Sequence, residues 1–335
     1  MYSSRIVGLG HFVPENVVTN HDLSKLMDTN DEWITERTGI KERRLIQKDS
    51  GEGTTSMAVK AAEMALERSG VSRNEIDLVI FATLSPDLYF PGSGVLLQDQ
   101  MGLGTCPALD IRNQCSGFVY GLSVADQFIK TGMYKNVLLV GSEYHSGGMD
   151  FTTRGRTVSV IFGDGAGAAV LTREEDTTLG IQSTHLYSEG KYAEELAIIG
   201  PSTRRWIPEI VAGYDEDDMR YHPHMNGQLV FKNAVVRFSE VIHEALQKNG
   251  KNTSDIDMFI PHQANLRIAQ FVQKKFGLRD DQVYNNIMRY GNTTAASIPI
   301  ALSEAWGEGK IKENDTVVLA AFGSGFTWGS ALIHW

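Results

Sequence analysis

The stretch Ala65-Leu-Glu-Arg-Ser-Gly70, followed by Glu75-Ile-Asp-Leu-Val-Ile80, recurs 180 residues later as Ala245-Leu-Gln-Lys-Asn-Gly250 and Asp255-Ile-Asp-Met-Phe-Ile260. Solenoid repeats recur many times at intervals of roughly 20 to 50 residues, whereas this one occurs twice at domain length. In both copies an amphipathic segment ends at a glycine and is followed by an apolar run, which predicts a helix followed by a buried strand. The repeat therefore predicts two similar α/β halves.

The two halves are predicted to span residues 1–174 and 175–335, with an insertion near 200–226. The order helix, strand, helix, strand in each half favours parallel or mixed sheets covered by helices. The acidic run Tyr214–Asp218 within the insertion is typical of a solvated loop. Its alternative interpretation is a cap over a substrate pocket.

The stretch Ala108-Leu-Asp-Ile-Arg-Asn-Gln-Cys115-Ser-Gly-Phe118 is predicted to be a strand that turns into a helix. Apolar residues spaced by three and four follow Gly117, so Cys115 lies at a helix N-terminus. Free backbone N–H groups and the helix dipole favour a thiolate there, and the thiolate is the nucleophilic form of cysteine. The alternative is a small buried hydrophobic side chain.

Composition limits the classes of function. The 335 residues carry a net charge of −10, which disfavours a nucleic-acid-binding protein because phosphate contacts need clustered Lys and Arg. Two cysteines, Cys106 and Cys115, are too few for a disulfide framework or a cysteine-ligated metal site. The first eleven residues lack a signal-peptide pattern and no apolar run approaches the roughly 20 residues of a membrane span. We expect a cytoplasmic protein without a membrane segment or a metal.

Two glycine motifs resemble nucleotide-binding loops only superficially. Gly8-Leu-Gly10 lacks a third glycine opening a helix, and its surroundings predict a first strand over Ile6–Gly10. Gly163-Asp-Gly-Ala-Gly167 lacks the Lys-Ser/Thr of a phosphate-binding loop. It is predicted to be a tight bend within a strand over Val158–Leu171.

The second half supplies three further polar features near predicted strand ends. His262 follows the strand Ile256–Ile260, Asn292 follows a predicted strand at Tyr284–Ile287, and the glycine turn 323–329 follows the strand Val317–Ala321. Ligands collect at the carboxyl ends of strands in open α/β sheets. A thiol, an imidazole, an amide and a glycine turn are thus expected to converge on a catalytic site. Each feature alone has a simpler interpretation: His262 as a buried core residue, Asn292 as a turn residue and the glycines as a tight bend.

These motifs resemble β-ketoacyl-acyl-carrier-protein synthase III. The stretches that carry the resemblance are Asp28–Ile40, Gln114–Phe118, Phe162–Ala168, Pro261–Arg267, Tyr290–Pro299 and Ala321–Ala331, which together span nearly the whole chain. The resemblance implies an α/β thiolase-like fold in which two pseudo-symmetric βαβαβαββ halves form a five-layered αβαβα sandwich. It also implies a homodimer.

The activity implied by this resemblance is a decarboxylative Claisen condensation that initiates fatty acid synthesis. Cys115 is expected to take the acyl group from an acyl-CoA by covalent catalysis. His262 and Asn292 are expected to stabilise the enolate of malonyl-acyl-carrier-protein. The backbone N–H groups of Cys115 and Gly325 are the expected oxyanion hole. No cofactor or metal is expected, because hydrogen bonds handle the charge.

The resemblance also assigns residues that bind the substrates. Trp33 and Arg154 are expected to sandwich the CoA adenine and Arg37 to contact its phosphates, while Asn265 is placed on the pantetheine tunnel. Basic residues near the tunnel mouth are expected to dock the acidic carrier protein by electrostatic steering, and they are Lys232, Arg267, Lys274 and Lys275.

Two departures from the family pattern leave the acyl donor open. Arg112-Asn113-Gln114 precede the nucleophile where small residues are usual, and Ser202–His224 is longer than its counterpart. A medium-chain, branched or secondary-metabolite acyl group is therefore an alternative to the default acetyl starter. Biosynthetic thiolases would need a second cysteine in the C-terminal half, elongating synthases a second histidine, and hydroxymethylglutaryl-CoA synthase a catalytic glutamate. A non-catalytic acyl-CoA or carrier-protein-binding subunit and a cysteine hydrolase remain alternatives.

Overall fold

The computed structural model describes residues 2–202, 211–213, 215 and 217–335. It contains two large sheets whose corresponding strands have the same order. The first sheet has the order β1-β7-β6-β4-β5 and the second the order β8-β13-β12-β11. Their strands are β1 (Ser3–Phe12), β4 (Leu78–Ala82), β5 (Ala108–Ile111), β6 (Asn136–Glu143), β7 (Gly165–Glu174), β8 (Gly180–Ser188), β11 (Met258–Pro261), β12 (Thr316–Gly323) and β13 (Thr327–His334). Parts of the insertion predicted near 200–226, including Tyr214 of its acidic run, lie outside the described residues.

Two small ribbons complete the β-structure. One pairs β2 (Val17–Thr19) with β3 (Glu42–Arg44), and the other pairs β9 (Leu196–Ala197) with β10 (His224–Met225) at the base of the insertion. The helices of the described residues are α1 (Asn20–Leu23), α2 (Asp31–Thr38), α3 (Thr54–Ser69), α4 (Ser93–Gln100), α5 (Gly117–Lys130), α6 (Arg156–Ser159), α7 (Gly227–Lys248), α8 (Leu266–Phe276), α9 (Ile287–Tyr290) and α10 (Ser297–Gly307).

The pairing pattern repeats between the two sheets. In the first, β4 is parallel to β5 and β6, whereas β7 is antiparallel to β6 and β1. In the second, β11 is parallel to β12, and β13 is antiparallel to β12 and β8. The prediction of two similar halves with mixed sheets is confirmed.

The offset of 180 residues survives in three dimensions at the centre of the molecule. Strand β6 starts at Asn136 and β12 at Thr316, while α5 starts at Gly117 and α10 at Ser297. The correspondence between the halves is lost at the edge of the second sheet. At the position equivalent to β5, Phe259 forms only an isolated β-bridge with Val283. The strand predicted over Tyr284–Ile287 is therefore wrong. The Gln263 side chain accepts the backbone N–H groups of Asn286 and Ile287, which removes them from strand pairing.

The layers are α, β, α, β, α, as the resemblance implies. Helices α5 and α10 lie between the two sheets, α3 and α4 cover the first sheet, and α7 and α8 cover the second. The apolar stripe predicted for α5 is buried, with Phe118, Leu122, Ala125 and Ile129 all at 0% exposure. Complete burial of a large apolar side chain contributes about 1.5–3 kcal/mol, so this central helix anchors both sheets.

The first glycine motif is strand, as predicted. Gly8 and Gly10 lie in β1, where it crosses α3 at very short range. A Cβ on Gly10 would lie 2.1 Å from the carbonyl oxygen of Ala61. These glycines therefore allow a strand and a helix to touch and form no nucleotide loop.

The second glycine motif opens β7, and the strand predicted from Val158 is wrong at its beginning. Residues Arg156–Ser159 form α6, and β7 starts only at Gly165. A Cβ on Gly163 would lie 2.1 Å from the carbonyl oxygen of Tyr290, and one on Gly167 would lie 2.7 Å from the backbone nitrogen of Ile300. The glycines are needed because the second half of the chain packs directly onto this segment.

Candidate active site

Cys115 lies in a single 3₁₀ turn, Gln114–Ser116, which leads into α5. Gln114 before it has φ 44°, a left-handed conformation that is uncommon for a residue with a side chain. The end of β12 presses against this turn, since a Cβ on Gly323 would lie 2.6 Å from the Cys115 Cβ and 3.0 Å from its Sγ. A glycine at 323 is thus required for the two halves to meet at the cysteine.

A cavity of about 730 Å³ connects this cysteine to the surface. Cys115, His262 and Asn292 line it together and are each buried. Trp33 and Arg37 line its outer part, and Arg37 is exposed. The structure therefore brings the three predicted catalytic side chains together at the inner end of one tunnel.

His262 is held as a neutral imidazole with one ring nitrogen available. Its Nδ1 is 2.6 Å from Ser297 Oγ, and the same hydroxyl accepts the backbone N–H of Gln263. Burial lowers the pKa of His262 to about 3. In the tautomer in which the Ser297 hydroxyl donates to Nδ1, the proton lies on Nε2, which is buried and has no partner among the described residues. An N–H donor is thus available to a substrate.

Asn292 is fixed at both its backbone and its side chain. Its backbone N–H donates to the Ile161 carbonyl at 2.8 Å, and its Oδ1 accepts the backbone N–H of Thr294 at 2.8 Å. Since the amide oxygen is occupied, Nδ2 is the group left for the cavity. His262 and Asn292 therefore both offer N–H donors, which suits a developing oxyanion.

The resting state of Cys115 differs from the predicted thiolate. Burial, followed by the charge of Glu143, raises the pKa of Cys115 to about 12. Hydrogen bonds from the Ser324 backbone N–H, the Cys115 backbone N–H and the Thr294 hydroxyl oppose that rise. The sequence shows the helix start but not the complete burial, and burial dominates the pKa.

The expected second oxyanion donor, Gly325, stays a prediction, and its neighbour Ser324 is a further candidate. Gly325 does not line the cavity, whereas the backbone N–H of Ser324 donates to the Cys115 sulfur. Two adjacent residues of one glycine turn cannot be told apart from spacing alone. The closeness of Gly323 to Cys115 shows that the chain leaves β12 directly beside the thiol.

The arginines around Trp33 also differ from the expectation. Arg37 and Arg156 place their guanidinium carbons 4.6 and 5.1 Å from the centre of the Trp33 ring. Arg154, the predicted partner, is instead paired with Asp150 at 2.7 Å and Asp217 at 3.0 Å. Both arginines belong to Thr-Arg-Gly-Arg156, and the turn at α6 decides which one reaches the tryptophan.

The remaining predicted binding residues divide into two groups. Asn265 and Arg267 line the cavity, although the Asn265 amide also caps α8 and donates to the Arg37 carbonyl. Lys232, Lys274 and Lys275 are exposed on α7 and α8 and do not line it. Leu196 and Met225, from the ribbon at the base of the insertion, line the cavity and were missed. The interpretation of the acidic run Tyr214–Asp218 as a cap stays a prediction, because Tyr214 lies outside the described residues and no described residue of the run lines the cavity.

Fold and site together match the class expected from the sequence resemblance: a five-layered α/β sandwich in which a buried thiol and a pair of N–H donors line one tunnel. No helix in the described part of the chain is long and apolar enough to cross a membrane.

Comparisons with known proteins show the family to which the chain belongs. The 3-oxoacyl-[acyl-carrier-protein] synthase III family model matches residues 109–190, and the model of the C-terminal region of that family matches residues 246–335. The chain is 45% identical over 333 residues to the β-ketoacyl-[acyl-carrier-protein] synthase III of Aliivibrio fischeri, covering 99% of both chains. The chain therefore belongs to the β-ketoacyl-acyl-carrier-protein synthase III family, and it is an acyltransferase of fatty acid synthesis.

Solved structures agree with this assignment. The chain is similar to the 3-oxoacyl-[acyl-carrier-protein] synthase III of Aquifex aeolicus, at 43% identity and a TM-score of 0.89, covering 99% of this chain and 100% of that one. It is also similar to the priming β-ketosynthase of the R1128 polyketide pathway, at 31% identity and a TM-score of 0.89, covering 99% and 96%.

Glu143 is a buried carboxyl behind the nucleophile. It ends β6 at 0% exposure and accepts hydrogen bonds from Ser85 Oγ at 2.7 Å, Thr83 Oγ1 at 3.1 Å and the Leu84 backbone N–H at 3.2 Å. Burial raises its pKa to about 7 despite these donors. The folded chain therefore favours the protonated carboxyl.

We predict that Glu143 makes stability fall as the pH rises. Because its folded pKa is raised, its contribution is complete at acidic pH and is lost as the pH passes through about 7. Between pH 5 and pH 8, the free energy of unfolding of the wild type, measured with urea, should fall by on the order of 2 kcal/mol more than that of Glu143→Gln. Parallel pH dependences of the two proteins would contradict the prediction.

Proposed function

We propose that this chain condenses an acyl-CoA with malonyl-acyl-carrier-protein through an acyl group on Cys115. The observation that carries the proposal is the single tunnel that joins Cys115, His262 and Asn292 to the Trp33 and Arg37 surface. A flexible pantetheine arm needs such a channel, because the thioester must reach a buried sulfur while the nucleotide or carrier protein stays outside.

In the first step the Cys115 thiolate attacks the thioester carbonyl carbon. A bond forms between Sγ and that carbon, the bond to the CoA sulfur breaks, and the CoA thiolate takes up the proton released by the cysteine. The backbone N–H groups of Cys115 and Ser324 are the donors for the tetrahedral oxyanion, and such a donor typically contributes about 3 kcal/mol.

In the second step the malonyl group loses carbon dioxide. The electron pair of the broken carbon–carbon bond becomes an enolate on the thioester, whose oxygen accepts Nε2–H of His262 and Nδ2–H of Asn292. The enolate carbon then attacks the acyl carbon, and the thiolate of Cys115 leaves. Neutral donors suit this step, since a charged imidazolium would be costly at 3% exposure.

The chemistry supports a reaction without a cofactor, because hydrogen bonds of the chain stabilise every charge that develops. We also propose a cytoplasmic location, because a reducing compartment keeps Cys106 and Cys115 as thiols.

A second candidate for the acyl donor is a larger acyl group of the kind that primes secondary metabolism. It is favoured by the similarity to the R1128 priming ketosynthase and by the flexible Met225 in the cavity wall. An acyl-CoA panel decides between the two donors, because the preferred chain length can be read from the mass added to Cys115.

We predict that acyl-CoA adds one acyl mass to wild-type protein and none to Cys115→Ala. His262→Ala should still be acylated but should lose malonyl decarboxylation by at least about 10²-fold, since it removes one enolate donor. Intact-protein mass spectrometry and carbon dioxide release measure the two steps. A wild type without label would support a non-catalytic binding subunit, and release of free acid without malonyl would support a hydrolase.

A basic surface on α7 and α8 is proposed to dock the carrier protein. Lys232, Arg267, Lys274 and Lys275 are exposed there on a chain of net charge −10. Phe271 lies between Arg267 and Lys274 on α8 and is 46% exposed. An apolar side chain among cations suits an acidic helix with an apolar face.

We predict that reversing two of these charges affects only the carrier substrate. Lys274→Glu combined with Lys275→Glu should raise the KM for malonyl-acyl-carrier-protein about 10-fold, because steering is lost, while acylation by acyl-CoA is unchanged. The difference should shrink at high salt. Lys310→Glu combined with Lys312→Glu is the matched control, as both exposed residues precede β12 at the sheet end away from the cavity. An equal effect in the control would contradict this docking surface.

A homodimer is proposed across the β5 edge of the first sheet. This edge strand carries Leu109, and the adjoining loop exposes Leu88 at 45%, Tyr89 at 55% and Phe90 at 72%. The loop reaches the edge because α4 begins against β5, where the Gly94 N–H donates to Asp110 at 3.0 Å. An exposed apolar edge of this size suits pairing with a second copy.

We predict that the wild type sediments as a dimer and that Phe90→Lys sediments as a monomer. A charge at a desolvated contact has no partner, which disfavours association. Met133→Lys, at a comparably exposed apolar residue elsewhere, is the control and should remain dimeric. Monomeric wild type at micromolar concentration would overturn the proposal.

A further inference from the structure

A second buried histidine lies close to the nucleophile, although no step of the proposed reaction uses it. His145 follows β6 and is 4% exposed. Its Nε2 lies 2.7 Å from Thr294 Oγ1. The 3₁₀ turn that begins at Thr294 packs against the 3₁₀ turn that contains Cys115, and a hydrogen bond from the Thr294 side chain lowers the pKa of the Cys115 thiol. One side chain thus connects an imidazole to the catalytic sulfur.

Thr294 is held rigidly enough to transmit an orientation. It is fully buried and has φ 49°, the counterpart across the repeat of Gln114 at φ 44°. Its backbone N–H donates to the Asn292 Oδ1 at 2.8 Å. The same residue therefore positions the Asn292 amide through its backbone and contacts the thiol through its hydroxyl.

His145 is equally fixed. Its backbone N–H donates to Asp164 Oδ1 at 2.7 Å, and its ring packs against Phe162 with centroids 4.8 Å apart. Asp164 also accepts the backbone N–H groups of Ser146 and Ile46, which locks the turn after β6. The imidazole can thus hold Thr294 in one rotamer.

We propose that His145 is a positioning residue that donates Nε2–H to Thr294 and thereby aims the Thr294 hydroxyl proton at the Cys115 sulfur. A hydroxyl has one proton, and a thiolate can only accept. When Thr294 donates to the thiolate, its oxygen is free to accept, so the imidazole must supply the other proton. His145 remains neutral throughout, and the pair stabilises the attacking form of Cys115.

This role is separate from that of His262, whose Nδ1 contacts Ser297 and whose Nε2 is assigned to the enolate. The titratable groups around the path are Glu143, Asp164 and His262, and none of them is altered in the test. This inference rests on the proposed function, because stabilising the Cys115 thiolate affects the reaction only if Cys115 is the nucleophile.

The test measures the rate at which iodoacetamide alkylates Cys115 as a function of pH, with the modified peptide identified by mass to exclude Cys106. His145→Phe keeps a ring and removes the donor, whereas His145→Gln supplies an amide N–H near the position of Nε2. We expect His145→Phe to be alkylated about 10-fold more slowly at each pH, corresponding to a profile displaced by about one unit. His145→Gln should recover most of the wild-type rate.

Thr294 supplies an independent arm. Thr294→Val should slow alkylation as much as His145→Phe, and Thr294→Ser should not slow it. The double variant, His145→Phe with Thr294→Val, should be no slower than either single variant, because both substitutions remove the same hydrogen bond to the sulfur. His145→Asn, whose shorter amide does not reach Thr294, replaces His145→Phe if the phenylalanine variant does not fold. A His145 variant with the wild-type profile, or additive effects of the two changes, overturns the proposal. A wild type that no acyl-CoA labels would instead defeat the proposed function and leave the alkylation result intact.

Discussion

The site depends on the close packing of two helix starts in the middle layer of the sandwich. Helices α5 and α10 begin side by side, and each is preceded by a 3₁₀ turn with a left-handed residue, Gln114 or Thr294. Small residues are required where the turns meet the strands: a Cβ on Gly141 would lie 2.4 Å from the Ala295 carbonyl oxygen. Because this junction is dense, the Cys115 and Asn292 turns are held in one relative position.

Burial at this junction determines the electrostatics. The pKa of Cys115 is raised, the pKa values of His145 and His262 are lowered and the pKa of Glu143 is raised, in each case mainly because the charged form loses its solvation. The resting site is therefore close to neutral. Charge that arises during acyl transfer is met by N–H and O–H groups that are already oriented, which avoids the cost of reorganising water.

The tunnel connects this neutral interior to a charged exterior. Its inner end lies at the strand ends of both halves, and its outer part is formed by Trp33 and Arg37 from the first half and Arg267 from the second. Each half alone would carry only part of the site, since Cys115 belongs to the first half and His262 to the second. The two-fold architecture thus has a direct chemical consequence.

The sequence by itself determined the two-fold α/β architecture, the buried face of α5 and the identity of Cys115, His262 and Asn292 as neighbours. These follow from periodicity, from an offset of 180 residues and from motifs that are local in the chain. Tertiary structure decided that Arg156 and not Arg154 meets Trp33, that the Ser324 backbone N–H donates to the thiol, and that His145 reaches Thr294. It also decided the pKa of Cys115, because desolvation depends on everything packed around the sulfur, which residue spacing along one chain does not record.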